Sequence, residues 1–287
     1  MEKKTLVVVN GLVRKDAIAY LKEHVDVRQW TEKTVMPRET LKEWLVDADG
    51  LWCVRPLDVD GDLVKNAPNL KVIAQAAVGY DNVKIDELTA AGIPYGNTPG
   101  VLNETVAELA FTLIATASRR ILENANFVKE GRWAQRPSNI KGFDLSRRTL
   151  GIIGMGAIGV SISRRARAFG MTVVYHNRNQ RIDDKIHKTT YMELDDLLAT
   201  SDVVCVMAPL TDETYHMCDE AFFKKMKNTA LFVNVGRGPI VDTDALISAL
   251  KTGEIDYAAL DVTDPEPLPT DHPLLDVENC LIVPHIG

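Results

Sequence analysis

Short apolar runs alternate along this chain with stretches in which apolar residues recur every three or four positions. The first pattern is typical of buried parallel strands and the second of amphipathic helices, so the chain predicts an α/β fold. The strands and helices predicted for the N-terminal part are, in order, Leu6 to Val9, Lys15 to Glu23, Val25 to Val27, Glu39 to Val46, Leu51 to Val54, Leu63 to Asn66, Val72 to Ala76, Ile85 to Ala91 and Ile93 to Tyr95. This order indicates a small domain built on a parallel sheet.

A turn at Asn97 to Gly100 is typical of a domain boundary, so we expect domains at residues 1–99 and 100–287. A helical pattern then runs from Asn103 to about Leu122, and its broad apolar face predicts burial against a partner. A polar arm from Lys129 to Arg148 follows and carries Trp133. We interpret the helix as an interdomain or dimer helix and expect a homodimer, because an exposed apolar stripe of that length would promote aggregation.

A glycine-rich turn lies at the centre of the second domain. The apolar run Leu150 to Ile153 leads into Gly154-Met155-Gly156-Ala157-Ile158-Gly159 and then into a helical pattern that closes at Gly170. A strand, a glycine turn and a helix in this order form a pyrophosphate site at the helix N-terminus. The residues predicted to contact a dinucleotide here are Gly154, Met155, Gly156, Ala157 and Ile158.

The rest of the second domain continues the alternation of strands and helices. Its predicted strands are Leu150 to Ile153, Met171 to Tyr175, Val203 to Met207, Leu231 to Val235, Tyr257 to Val262 and Leu281 to Val283. Its further predicted helices are Met192 to Leu198, Ala221 to Met226 and a helix that Asp242 caps and that reaches Leu250. Six parallel strands with intervening helices predict a doubly wound Rossmann sheet.

The end of the second strand of this sheet indicates which dinucleotide is bound. A carboxylate usually stands there to accept from the ribose 2′-hydroxyl of NAD. This chain has His176-Asn177-Arg178 with Arg181 beyond, and the next carboxylate is Asp183. Two guanidinium groups suit a 2′-phosphate, so Asn177, Arg178 and Arg181 predict NADP rather than NAD. A solvated surface loop is the alternative interpretation of the two arginines.

Composition limits the function classes without naming one. The chain has 287 residues, 46% hydrophobic residues and a net charge of −7, which fits two globular domains and argues against a nucleic-acid partner. Four widely spaced cysteines form no CxxC pair, so no metal site is expected, and they are typical of a reducing, cytoplasmic setting. The N-terminal apolar run is too short for a signal sequence or a membrane span.

Three residues with suitable chemistry follow strands of the second domain. Arg237 offers a charged fork for a carboxylate or carbonyl oxygen, Glu266 lies in a proline-rich turn, and His285 follows the last strand. An imidazole can give a proton to a nascent alkoxide, and a neighbouring carboxylate would orient it and stabilise its protonated form. Because parallel strands end at one edge of the sheet, we expect these three side chains to lie close together. Their combined chemistry predicts hydride transfer to a keto acid.

Five motifs, in this order and spacing, resemble the D-isomer-specific 2-hydroxyacid dehydrogenase family: NTPGVLNETVAELA, TLGIIGMGAIG, NVGRGPIVDTDAL, ALDVTDPEPLP and VPHIG. The resemblance implies a Rossmann domain beside a smaller flavodoxin-like substrate domain, and it implies that Arg237, Glu266 and His285 are catalytic. It implies that Val78 and Gly79 bind the substrate carboxylate through backbone amides. The further cofactor contacts expected are Thr105, Pro209, Val235, Gly236 and Asp261. Ala157 departs from the arginine often found in that turn.

Within the family, the first motif and the Asn177-Arg178 ending most resemble NADPH-dependent glyoxylate/hydroxypyruvate reductases. Phosphoglycerate dehydrogenase is the nearest competing activity, since Arg55 matches an arginine that those enzymes aim at a distal anionic group; D-lactate dehydrogenase-like activity is a further alternative. A different class, a nucleotide-sensing corepressor, also retains the same Arg, Glu and His. Family members continue past the Pro-His-x-Gly motif with a helix that returns to the first domain, so we expect that helix to be absent, through truncation or an open first domain.

Overall fold

The computed structural model describes residues 5–54 and 57–287 and divides the chain into two compact units. The first unit ends at Val101 and the second begins at Leu102. The sequence had placed the boundary two residues earlier, at the same turn. Within the described residues no helix is long and apolar enough to cross a membrane.

The first unit contains a parallel sheet with the order β2-β1-β3-β4-β5. Its strands are β1 Leu6–Val9, β2 Asp26–Gln29, β3 Gly50–Cys53, β4 Val72–Gln75 and β5 Tyr95–Gly96. Its helices are α1 Lys15–His24, α2 Arg38–Leu45, α3 Gly61–Lys65 and α4 Ile85–Ala90. This strand order is the flavodoxin-like one, as predicted. The Asp60 side chain caps α3 by accepting from the Leu63 N–H at 3.0 Å.

The second unit contains a seven-stranded parallel sheet with the order β12-β11-β10-β9-β6-β7-β8. Its strands are β6 Thr149–Ile153, β7 Thr172–His176, β8 Thr190–Tyr191, β9 Val203–Val206, β10 Leu231–Asn234, β11 Tyr257–Leu260 and β12 Cys280–Ile282. Its helices are α5 Asn103–Ser118, α6 Ile121–Lys129, α7 Ala157–Ala168, α8 Asp184–His187, α9 Leu194–Thr200, α10 Glu220–Lys225 and α11 Thr243–Thr252. The predicted Rossmann topology is confirmed, and the strand order reverses between β6 and β9.

The central strands are apolar throughout because helices cover both faces of the sheet. In β9, Val204 and Val206 belong to one buried cluster, whereas Val203 and Cys205 belong to the cluster on the opposite face. All four side chains are fully buried. This burial explains why the strand appears in the sequence as a continuous apolar run rather than as an alternating pattern.

The prediction of six strands was wrong by one. The additional strand, β8, contains only Thr190 and Tyr191, and it pairs with Val174 and Tyr175 of β7 at the edge of the sheet. Thr190 is exposed and Tyr191 is half-buried, so no apolar run marks the strand. An edge strand of this length forms because β7 offers free backbone groups, which sequence periodicity does not show.

The helix predicted from Asn103 to Leu122 is interrupted. Helix α5 ends at Ser118, Arg120 adopts a left-handed backbone with φ of 50°, and α6 begins at Ile121. The Ser118 carbonyl accepts from the Phe143 N–H at 2.7 Å. The returning arm therefore occupies an acceptor that a longer helix would have used.

The argument that α5 exposes an apolar stripe was also wrong. Its apolar side chains lie in the core of the second unit, packed beside α7 and the strands β10 and β11. The buried members are Ala107, Ala110, Phe111, Leu113, Ile114 and Ala117. The apolar side chains that remain exposed lie beyond the break, at Ile121, Leu122, Val128 and Trp133.

Candidate active site

The glycine turn after β6 has the geometry that a dinucleotide requires. Gly154 has φ of +100°, and a Cβ atom there would lie 2.6 Å from the backbone of Met207 and Ala208. A Cβ atom on Gly159 would lie 2.8 Å from the Gly154 carbonyl oxygen. At Gly156, in contrast, a Cβ atom would meet nothing within 4 Å. Two glycines therefore permit close backbone packing, and the third leaves open space beside the turn.

The open space lies at the N-terminus of α7. This helix begins at Ala157, and no side chain caps it. The first amide groups of a helix have no intrahelical acceptor, so those of Ala157 and Ile158 are available to an anion. The residues of the turn therefore fit a pyrophosphate group. The Met155 side chain is buried in the core, so only its backbone belongs to this surface.

Two of the residues predicted to contact the ribose end of a cofactor are bonded to the turn itself. The Asn177 Oδ1 atom accepts from the Met155 N–H at 2.6 Å. The Arg181 Nη1 atom donates to the Met155 carbonyl at 2.9 Å, while its Nε and Nη2 atoms donate to the Asp183 carboxylate at 2.7 and 2.6 Å. Both side chains therefore support the turn.

Arg178 differs from these residues because it is exposed. Its positive charge contributes to a lowered pKa of Glu213, although the main cause is the hydrogen bond that Thr211 Oγ1 donates to that carboxylate at 2.7 Å. Arg178 thus lies in the electrostatic field of the loop after β9. Of the two arginines predicted in this region, Arg178 is the exposed one, and Arg181 is only partly exposed.

The loop after β10 holds Arg237 against the loop after β11. The fully buried Asn234 accepts from the Gly236 N–H at 3.0 Å and donates to the Arg237 carbonyl at 2.9 Å. A Cβ atom on Gly238 would lie 1.9 Å from the Thr263 carbonyl oxygen, so only glycine allows the two loops to approach this closely. Asn234 was not predicted to act here, although a buried polar residue at a strand end could have signalled it.

Glu266 and His285 meet at the same edge of the sheet. The His285 Nδ1 atom lies 2.5 Å from Glu266 Oε1, and Glu266 Oε2 accepts from the Thr263 N–H at 3.3 Å. The two side chains are 47% and 39% exposed, so they are accessible to a substrate while they contact each other. The pairing predicted from the sequence is therefore present in the structure.

Asp261 supports the turn that carries His285. Its buried carboxylate accepts from the N–H groups of Ile286 at 2.7 Å and Gly287 at 3.1 Å, and its carbonyl accepts from the His285 N–H at 2.9 Å. His285 has φ of 51°, a left-handed conformation that a non-glycine residue adopts only when its surroundings hold it. Asp261 supplies that restraint, and the cofactor contact predicted for it stays a prediction.

In the first unit, the predicted substrate loop after β4 has its carbonyl groups bonded to the scaffold. The Val78 carbonyl accepts from Asn97 Nδ2 at 2.8 Å, and the Gly79 carbonyl accepts from the buried Gln75 Nε2 at 2.8 Å. In a trans peptide the C=O and N–H bonds point in opposite directions. The N–H groups of Gly79 and Tyr80 are therefore directed away from these two side chains. An anion site requires amide N–H groups that point away from the scaffold in this way.

The same arrangement extends one residue towards the strand, because the Ala77 carbonyl accepts from the Thr98 N–H at 3.0 Å. The Val78 amide is thus directed in the same manner. Gln75 and Asn97 were missed by sequence reasoning, since neither side chain touches the predicted ligand. Arg55, the residue predicted to bind a distal anionic group, lies outside the described residues.

The other predicted cofactor residues belong to the second unit. Thr105 is exposed in the first turn of α5, and Pro209 is exposed after β9. Val235 and Gly236 are buried after β10. Pro209, Val235 and Gly236 therefore follow neighbouring parallel strands. They lie at the edge that carries Gly154, which is the ligand-binding edge of a doubly wound sheet.

The cysteines have the character of core residues. All four thiols are free, and burial raises the pKa of Cys53, Cys205 and Cys280 to about 12. Burial also raises the pKa of Cys218. Such thiols are poor nucleophiles near neutral pH. Across residues 5–54 and 57–287, no group of three or more His, Cys, Asp or Glu side chains could hold a metal ion.

Comparison with known proteins identifies the family. The profile described as "D-isomer specific 2-hydroxyacid dehydrogenase, NAD binding domain" matches residues 111–287. A protein of Korarchaeum cryptofilum named glyoxylate reductase is 41% identical over 285 residues, which cover 98% of this chain and 86% of the relative.

Two solved structures show the same architecture with different cofactors. An NADPH-dependent glyoxylate/hydroxypyruvate reductase of Sinorhizobium meliloti, in complex with NADP and malonate, has a TM-score of 0.88 and 29% identity, covering 99% of this chain and 87% of that one. A D-lactate dehydrogenase of Aquifex aeolicus, complexed with NAD and lactic acid, has a TM-score of 0.86 and 30% identity, covering 98% and 88%. With the glycine turn and the paired Glu266 and His285, these matches show that the chain belongs to the D-isomer-specific 2-hydroxyacid dehydrogenase family and is an NAD(P)-dependent enzyme.

Proposed function

We propose that this protein reduces a small 2-keto acid, glyoxylate or hydroxypyruvate, to the D-2-hydroxy acid with NADPH. The observation that carries the proposal is the 2.5 Å contact between His285 Nδ1 and Glu266 Oε1, at the sheet edge that also holds the glycine turn. The similarity to the Korarchaeum and Sinorhizobium reductases supports the choice of substrate.

His285 is the proton donor in this proposal. Its Nδ1 atom faces Glu266, so Nε2 is the ring nitrogen left to face a substrate. The carboxylate fixes the orientation of the ring, as in other carboxylate–histidine pairs. A bound nicotinamide would supply the hydride, and the proton of His285 would neutralise the alkoxide that forms on the substrate.

Arg237 of the second unit and the loop after β4 of the first unit have binding roles. Each role is argued from contacts within the unit that carries the residue. The Arg237 guanidinium attracts the carbonyl or carboxylate oxygen of the keto acid, and its charge opposes the negative charge that develops on the oxygen. The amides of Val78 and Gly79 bind the substrate carboxylate, supported by the hydrogen bonds that the Thr98 N–H donates to the Ala77 carbonyl and that Asn97 donates to the Val78 carbonyl.

The preference for NADPH rests on the end of β7. Asn177 and Arg178 occupy the positions at which an NAD enzyme would have a carboxylate for the ribose hydroxyls. Arg178 is exposed. A guanidinium there can pair with a 2′-phosphate. The Sinorhizobium relative is described with NADP, which agrees with this assignment, whereas the Aquifex relative is described with NAD.

A spectrophotometric assay of cofactor oxidation tests the proposal. The purified chain is given NADPH or NADH with glyoxylate, hydroxypyruvate, pyruvate or 3-phosphohydroxypyruvate, and kcat/KM is measured for each pair. We expect the highest values for NADPH with glyoxylate or hydroxypyruvate. A preference for pyruvate would identify a D-lactate dehydrogenase, and one for 3-phosphohydroxypyruvate a phosphoglycerate dehydrogenase. Binding of the cofactor without turnover of any substrate would favour a nucleotide-sensing protein.

We also propose a homodimer, through the exposed part of the segments from which the sequence predicts it. The exposed apolar residues Ile121, Leu122, Val128 and Trp133 lie on and just after α6, and we name them the α6 surface. Trp133 is 67% exposed and Ile121 is 51% exposed. Adjacent exposed apolar side chains of this size are typical of a protein interface.

A further inference from the structure

The peptide groups around Met155 are held from two directions by side chains that follow β7. The Met155 N–H donates to Asn177 Oδ1 at 2.6 Å, and the Met155 carbonyl accepts from Arg181 Nη1 at 2.9 Å. The next amide, that of Gly156, donates to the Gly154 carbonyl at 3.0 Å. The peptide between Met155 and Gly156 is therefore fixed at both its C=O and its N–H.

Arg181 is itself held rigidly. Its Nε and Nη2 atoms form a bidentate pair with Asp183 at 2.7 and 2.6 Å, and its side chain is 26% exposed. Its backbone N–H donates to the hydroxyl of the fully buried Tyr175 at 2.8 Å. Asp183 also lies 3.1 Å from His187 Nε2. The guanidinium is thus engaged on three of its nitrogens by groups of the protein.

We infer that Arg181, with Asp183, is a positioning pair that locks the glycine turn in its binding conformation, and that recognition of a 2′-phosphate falls to Arg178 alone. The first part rests on the dinucleotide site of the family, and the second rests on the proposed use of NADPH. Arg181 was predicted from the sequence to bind the phosphate. Its contacts instead place it behind the turn, where it acts on both cofactors equally.

The physical reason is electrostatic. If the peptide after Met155 rotated, its carbonyl oxygen would be free to approach the pyrophosphate and repel it, and the turn would have to be reordered on binding. The hydrogen bond from Arg181 opposes that rotation, so the glycine turn is already ordered before the cofactor binds. The hydrogen bond from Arg181 is the main cause that lowers the pKa of Asp183 to about 2, so this ion pair stays charged at every ordinary assay pH.

The test compares the binding of two cofactors to the unliganded protein, by fluorescence titration with NADPH and with NADH. Arg181→Met keeps an unbranched, shorter side chain and removes its donors. We expect it to weaken both cofactors by the same factor, about tenfold for one lost charge-assisted hydrogen bond. Arg178→Met, the matched control, should weaken NADPH by about tenfold or more and leave NADH unchanged.

Asp183→Asn separates the positioning role from direct phosphate binding. If Arg181 positions the turn, this substitution loosens it and weakens both cofactors. If Arg181 were a phosphate ligand restrained by Asp183, the same substitution would free it and strengthen NADPH binding. A selective loss of NADPH in Arg181→Met, a gain in Asp183→Asn, or unchanged binding of both cofactors in Arg181→Met would each overturn the inference.

Two further readouts keep the outcome interpretable. Urea denaturation of each variant shows whether it is folded, and titrations made below the unfolding transition then report binding alone. If the parent protein binds NADH as tightly as NADPH and Arg178→Met changes neither, the proposed cofactor preference fails. An equal loss of both cofactors in Arg181→Met would still establish the positioning role.

Discussion

The Nδ1 atom of His285 lies 2.5 Å from the Oε1 atom of Glu266, although the two residues come from loops after different strands. The contact leaves Nε2 of the imidazole to face a substrate. It also places a carboxylate where it fixes the orientation of the ring.

His285→Ala should lower kcat for keto-acid reduction by about two to four orders of magnitude, because the alkoxide loses its proton donor. Cofactor binding, measured by fluorescence, should change little. His24→Ala is the control, since His24 is an exposed residue of α1 that contacts the Tyr20 ring. Near-normal turnover in His285→Ala would show that another group gives the proton.

The double substitution of Asn177→Asp with Arg178→Pro should shift the cofactor preference towards NADH. In the parent, Asn177 Oδ1 accepts from the Met155 N–H at 2.6 Å, and aspartate retains an oxygen for that N–H. It also adds a carboxylate near the ribose hydroxyls. Loss of the guanidinium removes a charge-assisted contact worth about 1.5 to 3 kcal/mol, or roughly 10- to 100-fold in kcat/KM for NADPH. A parent enzyme that already binds both cofactors equally would contradict the assignment.

Asn97→Ala should raise the KM for the keto acid by about tenfold, because the Val78 carbonyl loses the 2.8 Å bond that orients the following amide. The affinity for the cofactor should stay the same. Asn66→Ala is the matched control in the same unit, since the Asn66 side chain donates to the Asp62 carbonyl on an exposed surface. Equal KM values in both variants would count against a positioning role for Asn97.

Gly238→Ala should destabilise the second unit by about 3 kcal/mol, because overpacking forces the backbone to move. The added Cβ atom would lie 1.9 Å from the Thr263 carbonyl oxygen and would separate the loops of Arg237 and Glu266. Gly96→Ala is the control, since a Cβ atom there meets nothing within 4 Å. Urea denaturation measures the free energy of unfolding of both variants.

Leu122→Asp on the α6 surface should convert a dimer into a monomer, because a buried unpaired charge is costly at an interface. Ile186→Asp is the control, since Ile186 is 78% exposed on α8 and lies outside that surface. Light scattering at micromolar concentrations measures the mass. A parent protein that is already monomeric at high micromolar concentration would exclude the proposed dimer.

The sequence by itself determined the α/β fold class, six of the seven strands of the second sheet and the residues at its carboxyl edge. Buried parallel strands are continuous apolar runs, and their ends carry the polar residues, so Arg237, Glu266 and His285 could be predicted to lie at one edge of the sheet. The glycine turn was identifiable as well, because Gly154 adopts a conformation that other residues resist and Gly159 packs where a Cβ atom would not fit.

Only the tertiary structure decided which side chains are bonded to the protein and which are exposed. Arg178 and Arg181 are equivalent in the sequence, but Arg181 is engaged by Asp183 and by the Met155 carbonyl, while Arg178 is exposed. In the same way, the apolar face of α5 could have met another chain or its own core, and it met its own core. Periodicity reports which residues are apolar or charged, whereas the choice of partner depends on distances between segments far apart in the chain.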